Sequence, residues 1–214
     1  MIKAIFWDND GVLVDTERLY FQATKQILAS VDVDLTQQMY FDLFLVKATG
    51  AWQLAAEKGC SPTDIDRLRH ERNALYLSLL QTEARAIDGV EEILSLLHGK
   101  YVMGVVTSSH RDHFTATHST TGLAKYFDFV LTAEDYAHYK PDPEPYRTAI
   151  RRAGFPGSEC IVVEDSVRGL TSALGAGLRC VIIPNDLTRS ASFAGAYQIL
   201  KNIRGIPALL SRTV

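Results

Sequence analysis

Five short apolar runs, each ending abruptly in a polar or glycine-containing cluster, constrain this chain more than any other feature. They fall at 3–7, 101–106, 127–131, 160–163 and 180–183, with a weaker sixth at 197–200. Brief apolar runs without polar alternation are what strands buried on both faces require. Helical patterns lie between them at 90–97, after His110, at 144–153 and at 167–176. Parallel neighbours need crossover connections, so this alternation predicts an α/β fold, a doubly wound parallel sheet with helices on both faces. Ligands of such a sheet bind beyond the carboxyl ends of its strands.

Between residues 16 and 87 the rhythm breaks. Helical stretches at 17–28 and 62–80 occur there without a convincing core strand. The expectation is an all-helical cap inserted after the first strand, returning just before Asp88-Gly89. Residues 1–15 and 88–214 then form the core, with 16–87 as a hinged lid whose two linkers run side by side. At 47% hydrophobic and 22% charged residues, the chain has the composition of a globular protein. A net charge of −3 without a compensating Lys/Arg run disfavours nucleic acid as a partner. Cys60, Cys160 and Cys180 are too scattered for a disulfide framework or a zinc site, which fits a reducing cytoplasm. The apolar stretch before Asp8 is too short for a signal core or a membrane span, so no membrane partner is expected.

Four polar groups follow four of the predicted strands: Asp8-Asn9-Asp10-Gly11, Thr107-Ser108-Ser109, Lys140-Pro141-Asp142-Pro143 and Glu164-Asp165-Ser166. A parallel sheet gathers them at one edge. Carboxylates crowded there repel unless a cation neutralises them, and oxygen ligands without His or Cys point to Mg²⁺. Mg²⁺ shares its shell readily with phosphate oxygens, which suggests a phosphorylated substrate. Asp8 and Asp10, two apart in an extended segment, point the same way. Asp8 suits a nucleophile and Asp10 an acid/base. Lys140 offsets negative charge, Thr107 donates to a phosphoryl oxygen, and Ser108 or Ser109 caps the next helix in a hydroxyl-rich phosphate cradle. Asp142 and Pro143 read as N-cap and first residue of another helix.

These residues resemble the haloacid dehalogenase-like superfamily, in particular its phosphatases with a small helical cap. The resemblance rests on residues 5–17, Val105-Val106-Thr107-Ser108-Ser109, Lys140-Pro141-Asp142-Pro143 and Val162-Val163-Glu164-Asp165-Ser166-x-x-Gly169, in that order along nearly the whole chain. It implies a Rossmann-like core, the cap at about 16–87, and the roles given above for Asp8, Asp10, Thr107 and Lys140. It also implies Mg²⁺ held by Asp8, the Asp10 backbone carbonyl and Asp165, with Glu164 holding a metal water. The substrate is then a small phosphorylated metabolite such as a sugar phosphate or phosphoglycolate. A β-phosphoglucomutase-like phosphomutase is the alternative, but that branch carries a His where Tyr20 stands. Asn9 departs from the family, which more often has an apolar residue or Cys there. Asp10 argues against a true dehalogenase and against a phosphonatase.

Each motif also has a plainer reading. Asp8-x-Asp10-Gly11 alone could be a solvated turn, and Glu164-Asp165-Ser166 a helix cap. Tyr20 and Trp52 could fill the cap's core or wall a pocket. Lys47 and Arg18 could be surface charges or could grip a substrate's anionic end. The loop at 46–50 sits where relatives place a substrate-specificity loop. His110 and His113, three apart without a third ligand, read as a solvated helical face. A binding module that has lost turnover is the reading from outside enzymology.

Overall fold

The computed structural model describes residues 1–47 and 49–212. Strands β1 (Ala4–Trp7), β2 (Val102–Val106), β3 (Phe129–Leu131), β4 (Cys160–Glu164), β5 (Arg179–Ile182) and β6 (Gln198–Ile199) form one sheet in the order β3-β2-β1-β4-β5-β6. Every pairing is parallel. Successive side chains of β1 enter different cores. Ile5 and Trp7 pack with Met103, Val105, Ile161 and Val163 beneath α5 (Val90–Leu97) and α9 (Ile206–Ser211). Ala4 and Phe6 join Phe129, Leu131 and Val162 beneath α7 (Glu144–Ala153) and α8 (Val167–Gly175). Burial on both faces is the reason the runs carry no polar alternation. The weak sixth run shrinks to two exposed residues because it forms the sheet's edge.

Trp7 lies opposite Val105 on one side and Val163 on the other. The residues that follow these three therefore emerge level with one another. From β1 the chain builds outward to β2 and β3, then crosses to β4 on the opposite flank, so the strand order reverses at β1. That reversal opens the crevice in which ligands of doubly wound sheets bind.

Between residues 16 and 87, all regular elements among the described residues are helical. These are α1 (Glu17–Ala29), α2 (Gln37–Tyr40) running into a π-helical turn (Phe41–Val46), α3 (Trp52–Glu57) and α4 (Pro62–Glu83). The long α4 has a local cause. Ser61 Oγ accepts the Asp64 N–H, the Asp64 carboxylate accepts the Ser61 N–H, and Pro62 occupies the first helical position. Its buried stripe is Leu68, Arg72, Tyr76 and Leu80, spaced by four so that all lie on one face. The helices cluster their own apolar residues, among them Leu28, Leu35, Tyr40 and Leu68.

The chains entering and leaving this segment are hydrogen-bonded to each other. Val14 bridges antiparallel to Ala86, the Asp15 N–H donates to the Arg85 carbonyl at 2.9 Å, and the Ile87 N–H donates to the Leu13 carbonyl at 3.0 Å. Two helix starts differ from the sequence reading. The helix after β2, α6 (Arg111–Thr121), has His110 at its cap position and no side-chain cap, because the serine hydroxyls before it face the sheet edge. Pro143 takes the cap position expected of Asp142, whose carboxylate still accepts the Glu144 N–H at 2.8 Å. Among the described residues, no helix is long and apolar enough to cross a membrane.

Candidate active site

Beyond the carboxyl ends of β1, β2 and β4 lies a cavity of about 220 Å³. Asp8, Asp10, Thr107, Ser108, Lys140 and Asp165 line it from the sheet edge, and Glu17, Tyr20, Arg72 and Tyr76 from α1 and α4. Asp8 continues β1, its N–H donating to the Val163 carbonyl at 2.9 Å.

Lys140 is 3% exposed, and its ammonium donates to Asp8 Oδ1 at 2.7 Å, Glu164 Oε1 at 2.7 Å and the Val106 carbonyl at 2.8 Å. An ammonium has three protons, so all three are committed. A phosphoryl oxygen would have to take over the one now given to Asp8. Burial works against Lys140's charge, but Asp8 and Glu164 outweigh it and hold its pKa above the usual lysine value. The peptide bond to Pro141 is cis.

Burial, and then the charge of Glu164, pushes the Asp8 carboxyl up to about 7 despite Lys140. Asp165 is raised well above its ordinary value by burial and by the charges of Asp8 and Glu164. Glu164 is opposed by burial too, yet Lys140 and the Tyr146 hydroxyl hold it below the usual range. Its Oε1 also accepts Tyr146 Oη at 2.8 Å, while Oε2 accepts the Asp165 N–H and Ser166 Oγ, both at 3.2 Å. Gly169 makes this possible. A Cβ there would lie 1.9 Å from the Glu164 carboxyl carbon.

Asp8, Glu164 and Asp165 each offer an oxygen, all within 4.8 Å of one another. An all-carboxylate donor set whose members repel each other fits a hard dication such as Mg²⁺. Gly11 leaves room beside it. With φ at +88°, a Cβ on Gly11 would lie 2.3 Å from Asp165 Oδ2 and 2.7 Å from Asn185 Nδ2.

Among the described residues, the Asp10 carboxylate accepts from hydroxyls. Thr16 Oγ1 donates to its Oδ1 at 2.5 Å, and Thr107 Oγ1 and Ser109 Oγ donate to Oδ2 at 3.0 and 2.8 Å. Thr107 is thus turned to Asp10, while Ser108 Oγ, buried and lining the cavity, has no hydrogen-bond partner among the described residues beyond the nearby Tyr136 hydroxyl. The neighbouring Tyr136 hydroxyl gives its proton to the Thr107 carbonyl. The sequence reading of these serines as helix caps is corrected accordingly. Ser109 is drawn to a carboxylate, and Ser108 is left facing the cavity.

Of the residues proposed for the cap side, Tyr20 reaches the cavity, set edge-on to Tyr76 with ring centroids 5.1 Å apart. Lys47 is exposed and absent from the cavity wall; its neighbour Ala48, in the expected specificity loop, lies outside the described residues. Arg18 pairs with Asp15 and Glu83 instead. His113 corrects another expectation. It is 7% exposed and packs edge-on against Tyr76, because α4 covers that part of α6.

Arg72 was missed by sequence reasoning, although its signal was present as an arginine inside the buried stripe of α4. It is 7% exposed, sits 4.3 Å over the Tyr20 ring, and has no carboxylate within ion-pair reach among the described residues. Asn185 gave no comparable signal.

Asn9, the departure from the family pattern, has a partner that explains it. Its Oδ1 accepts from His118 Nε2 at 2.8 Å, and His118 Nδ1 accepts from Thr121 Oγ1 at 3.0 Å. Burial lowers His118 from 6.5 to about 4 and keeps it neutral. An unfolded chain would protonate this histidine below about 6.5, whereas the fold resists until about 4. Stability is therefore full above 6.5 and falls as pH drops through that window, by up to about 3 kcal/mol. In denaturant titrations, stability on going from pH 7 to pH 4 is expected to change about 3 kcal/mol less favourably in the native protein than in His118→Gln, the carboxyls, Asp8 among them, contributing equally to both. Equal changes would dismiss the account.

A sequence profile of the family described as haloacid dehalogenase-like hydrolase matches residues 5–183. The validoxylamine A 7'-phosphate phosphatase of Streptomyces hygroscopicus subsp. limoneus is 33% identical, covering 85% of this chain and 85% of that protein. The fructose-1-phosphate phosphatase YqaB of Escherichia coli is 27% identical over 83% of this chain and 94% of its own length. The crystal structure of CbbY from Rhodobacter sphaeroides in complex with phosphate superimposes with a TM-score of 0.80 at 27% identity, covering 94% of this chain and 95% of that one. The profile match takes in β1 from Ile5 onward, β2 through β5 and every residue of the carboxylate–lysine cluster. The chain belongs to the haloacid dehalogenase-like hydrolases.

Proposed function

We propose that this protein is a Mg²⁺-dependent phosphoric monoester hydrolase acting on a small phosphorylated metabolite, such as a sugar phosphate or phosphoglycolate, through a phosphorylated Asp8. The observation that carries the reading is the buried cluster in which Lys140 is bonded to both Asp8 and Glu164, with Asp165 alongside. Phosphatase relatives matching most of this chain support it.

Lys140 orients Asp8 through one oxygen until a phosphoryl oxygen takes over that hydrogen bond, and Asp8 directs its other oxygen at phosphorus. As the new Asp8–P bond forms, the bond from phosphorus to the substrate's oxygen breaks, and Asp10 gives that oxygen a proton. Asp10 then takes a proton from the water that attacks phosphorus, releasing phosphate and restoring Asp8. The Ser108 hydroxyl on the cavity wall donates to a phosphoryl oxygen, and Thr107 joins it as it turns from Asp10. Asp8, Asp165, the Asp10 backbone carbonyl and, through a water, Glu164 would hold Mg²⁺, which would supply positive charge for the phosphoryl oxygens.

Residues 16–87 act as the cap, with Tyr20 as part of its inner wall. The two hydrogen-bonded linkers serve as its hinge, and Lys47 is available to the substrate only if the cap moves. Tyr20, locked among Tyr40, Phe44 and Tyr76, lacks the acid–base capacity of a histidine, which favours hydrolysis over transfer to a second hydroxyl. The three free cysteines suit a cytoplasmic setting. The test is phosphate release from a panel of phosphorylated metabolites with Mg²⁺ and with a chelator. Release that needs Mg²⁺ is expected. Faster isomerisation of a hexose phosphate than phosphate loss would favour a mutase, and no turnover of any member would remove the reading.

A further inference from the structure

Asn185, in the loop after β5, joins two parts of the molecule. Its side-chain amide donates to Asp165 Oδ2 at 2.6 Å, which fixes the carboxylate's rotation and leaves Oδ1 for another ligand. The amide is itself held rigidly. Asn185 Oδ1 accepts the N–H groups of Leu187 and Thr188 at 2.8 and 3.1 Å, and the Asn185 N–H donates to Thr188 Oγ1 at 3.0 Å. Thr188 is buried, so the whole turn is pinned. Two residues along, Leu187 leaves the sheet edge and, partly buried, packs against the apolar cluster of the helical segment, whose members include Tyr40, Leu45 and Leu68. Every other member of that cluster among the described residues lies between Tyr20 and Leu68.

One rigid turn therefore holds a carboxylate of the cation cluster with one side chain and the helical layer with another. The geometry points to Asn185 as a positioning residue that couples divalent-cation binding at Asp165 to the seating of the helical segment through Leu187. Seating Leu187 keeps the amide on Asp165. Because coupling is reciprocal, a cation on Asp165 favours the seated layer in turn. The inference rests on Asp165 being a metal ligand, as proposed above.

Calorimetric titration of the full chain with Mg²⁺ alone tests it. Asn185→Ala is expected to weaken Mg²⁺ binding about 10- to 100-fold, the usual cost of losing a hydrogen bond to a ligating carboxylate. Leu187→Ala, which touches no ligand, is expected to weaken it several-fold. In parallel, Mg²⁺ should slow amide hydrogen exchange across residues 37–46 in the native protein and fail to do so in Asn185→Ala, a difference that general destabilisation would not produce. Mg²⁺ binding by Leu187→Ala within twofold of the native protein, with exchange still slowed by Mg²⁺, overturns the coupling. Failure of the native protein to bind Mg²⁺ overturns both this inference and the metal assignment beneath it.

Discussion

Asp8→Asn is expected to abolish turnover, lowering kcat by on the order of 10⁴-fold or more, while the metal-free protein becomes harder to unfold at pH 8. The amide keeps the shape of the carboxyl but has no oxygen able to attack phosphorus. The stability gain follows from the sign of the Asp8 shift. Its carboxyl titrates near 7 in the fold, above the 3.8 of an unperturbed side chain, since burial and Glu164 oppose its charge more than Lys140 supports it. A group raised in this way favours the fold at low pH, and that contribution is lost as pH rises from about 4 to about 7. Asn does not titrate, so the variant's advantage grows across the same window. Phosphate release and thermal melts at pH 5 and 8 check the two halves separately. Retained activity would remove the nucleophile, and a lower melting point at pH 8 would contradict the account of charge crowding.

Lys140→Met carries the second largest effect, a loss of about 3–5 kcal/mol, the usual range when one partner of a buried ion pair is deleted. The ammonium has three partners, two of them buried carboxylates. Lysine itself is charged in folded and unfolded states alike below pH 10, so its own titration adds nothing to the pH dependence near neutrality. The dependence comes from the carboxyls left behind. Without Lys140, Asp8 and Glu164 both shift upward, and the gap to the native protein widens as pH rises from 4 to 8. Denaturant unfolding across that range should show the widening. A constant gap would mean that Lys140 acts through packing alone.

How far the sequence could be read depended on whether a residue's partner was local or brought in by the fold. The strands were legible because burial on both faces leaves an unbroken apolar run, and the convergence of Asp8, Thr107 and Asp165 followed from parallel topology. Gly169 stood in the motif, but only its distance to the Glu164 carboxyl shows what it makes room for. Hydroxyl partners were not legible. Ser109 looked like a cap by its place before a helix, yet a carboxylate 99 residues earlier in the chain outcompeted the helix end. Asn9 and His118 are 109 residues apart, and neither side chain names the other. Arg72 was readable in principle from the spacing of its stripe. Asn185 was not, because a polar residue in a loop after a strand has the same appearance whether it holds solvent or a ligating carboxylate.

The paired linkers have a consequence of a different kind. Since Val14 and Ala86 are already bridged, the ends left by removing everything between them are separated by about 5 Å, the spacing of one antiparallel pair. A handful of residues could close that gap without disturbing any strand of the sheet. The helical segment is therefore attached as a cassette: a chain with the same core could exchange it for another of different length or shape at a single seam. If the segment acts as the cap proposed above, selectivity can diverge there while the residues at the sheet edge stay fixed.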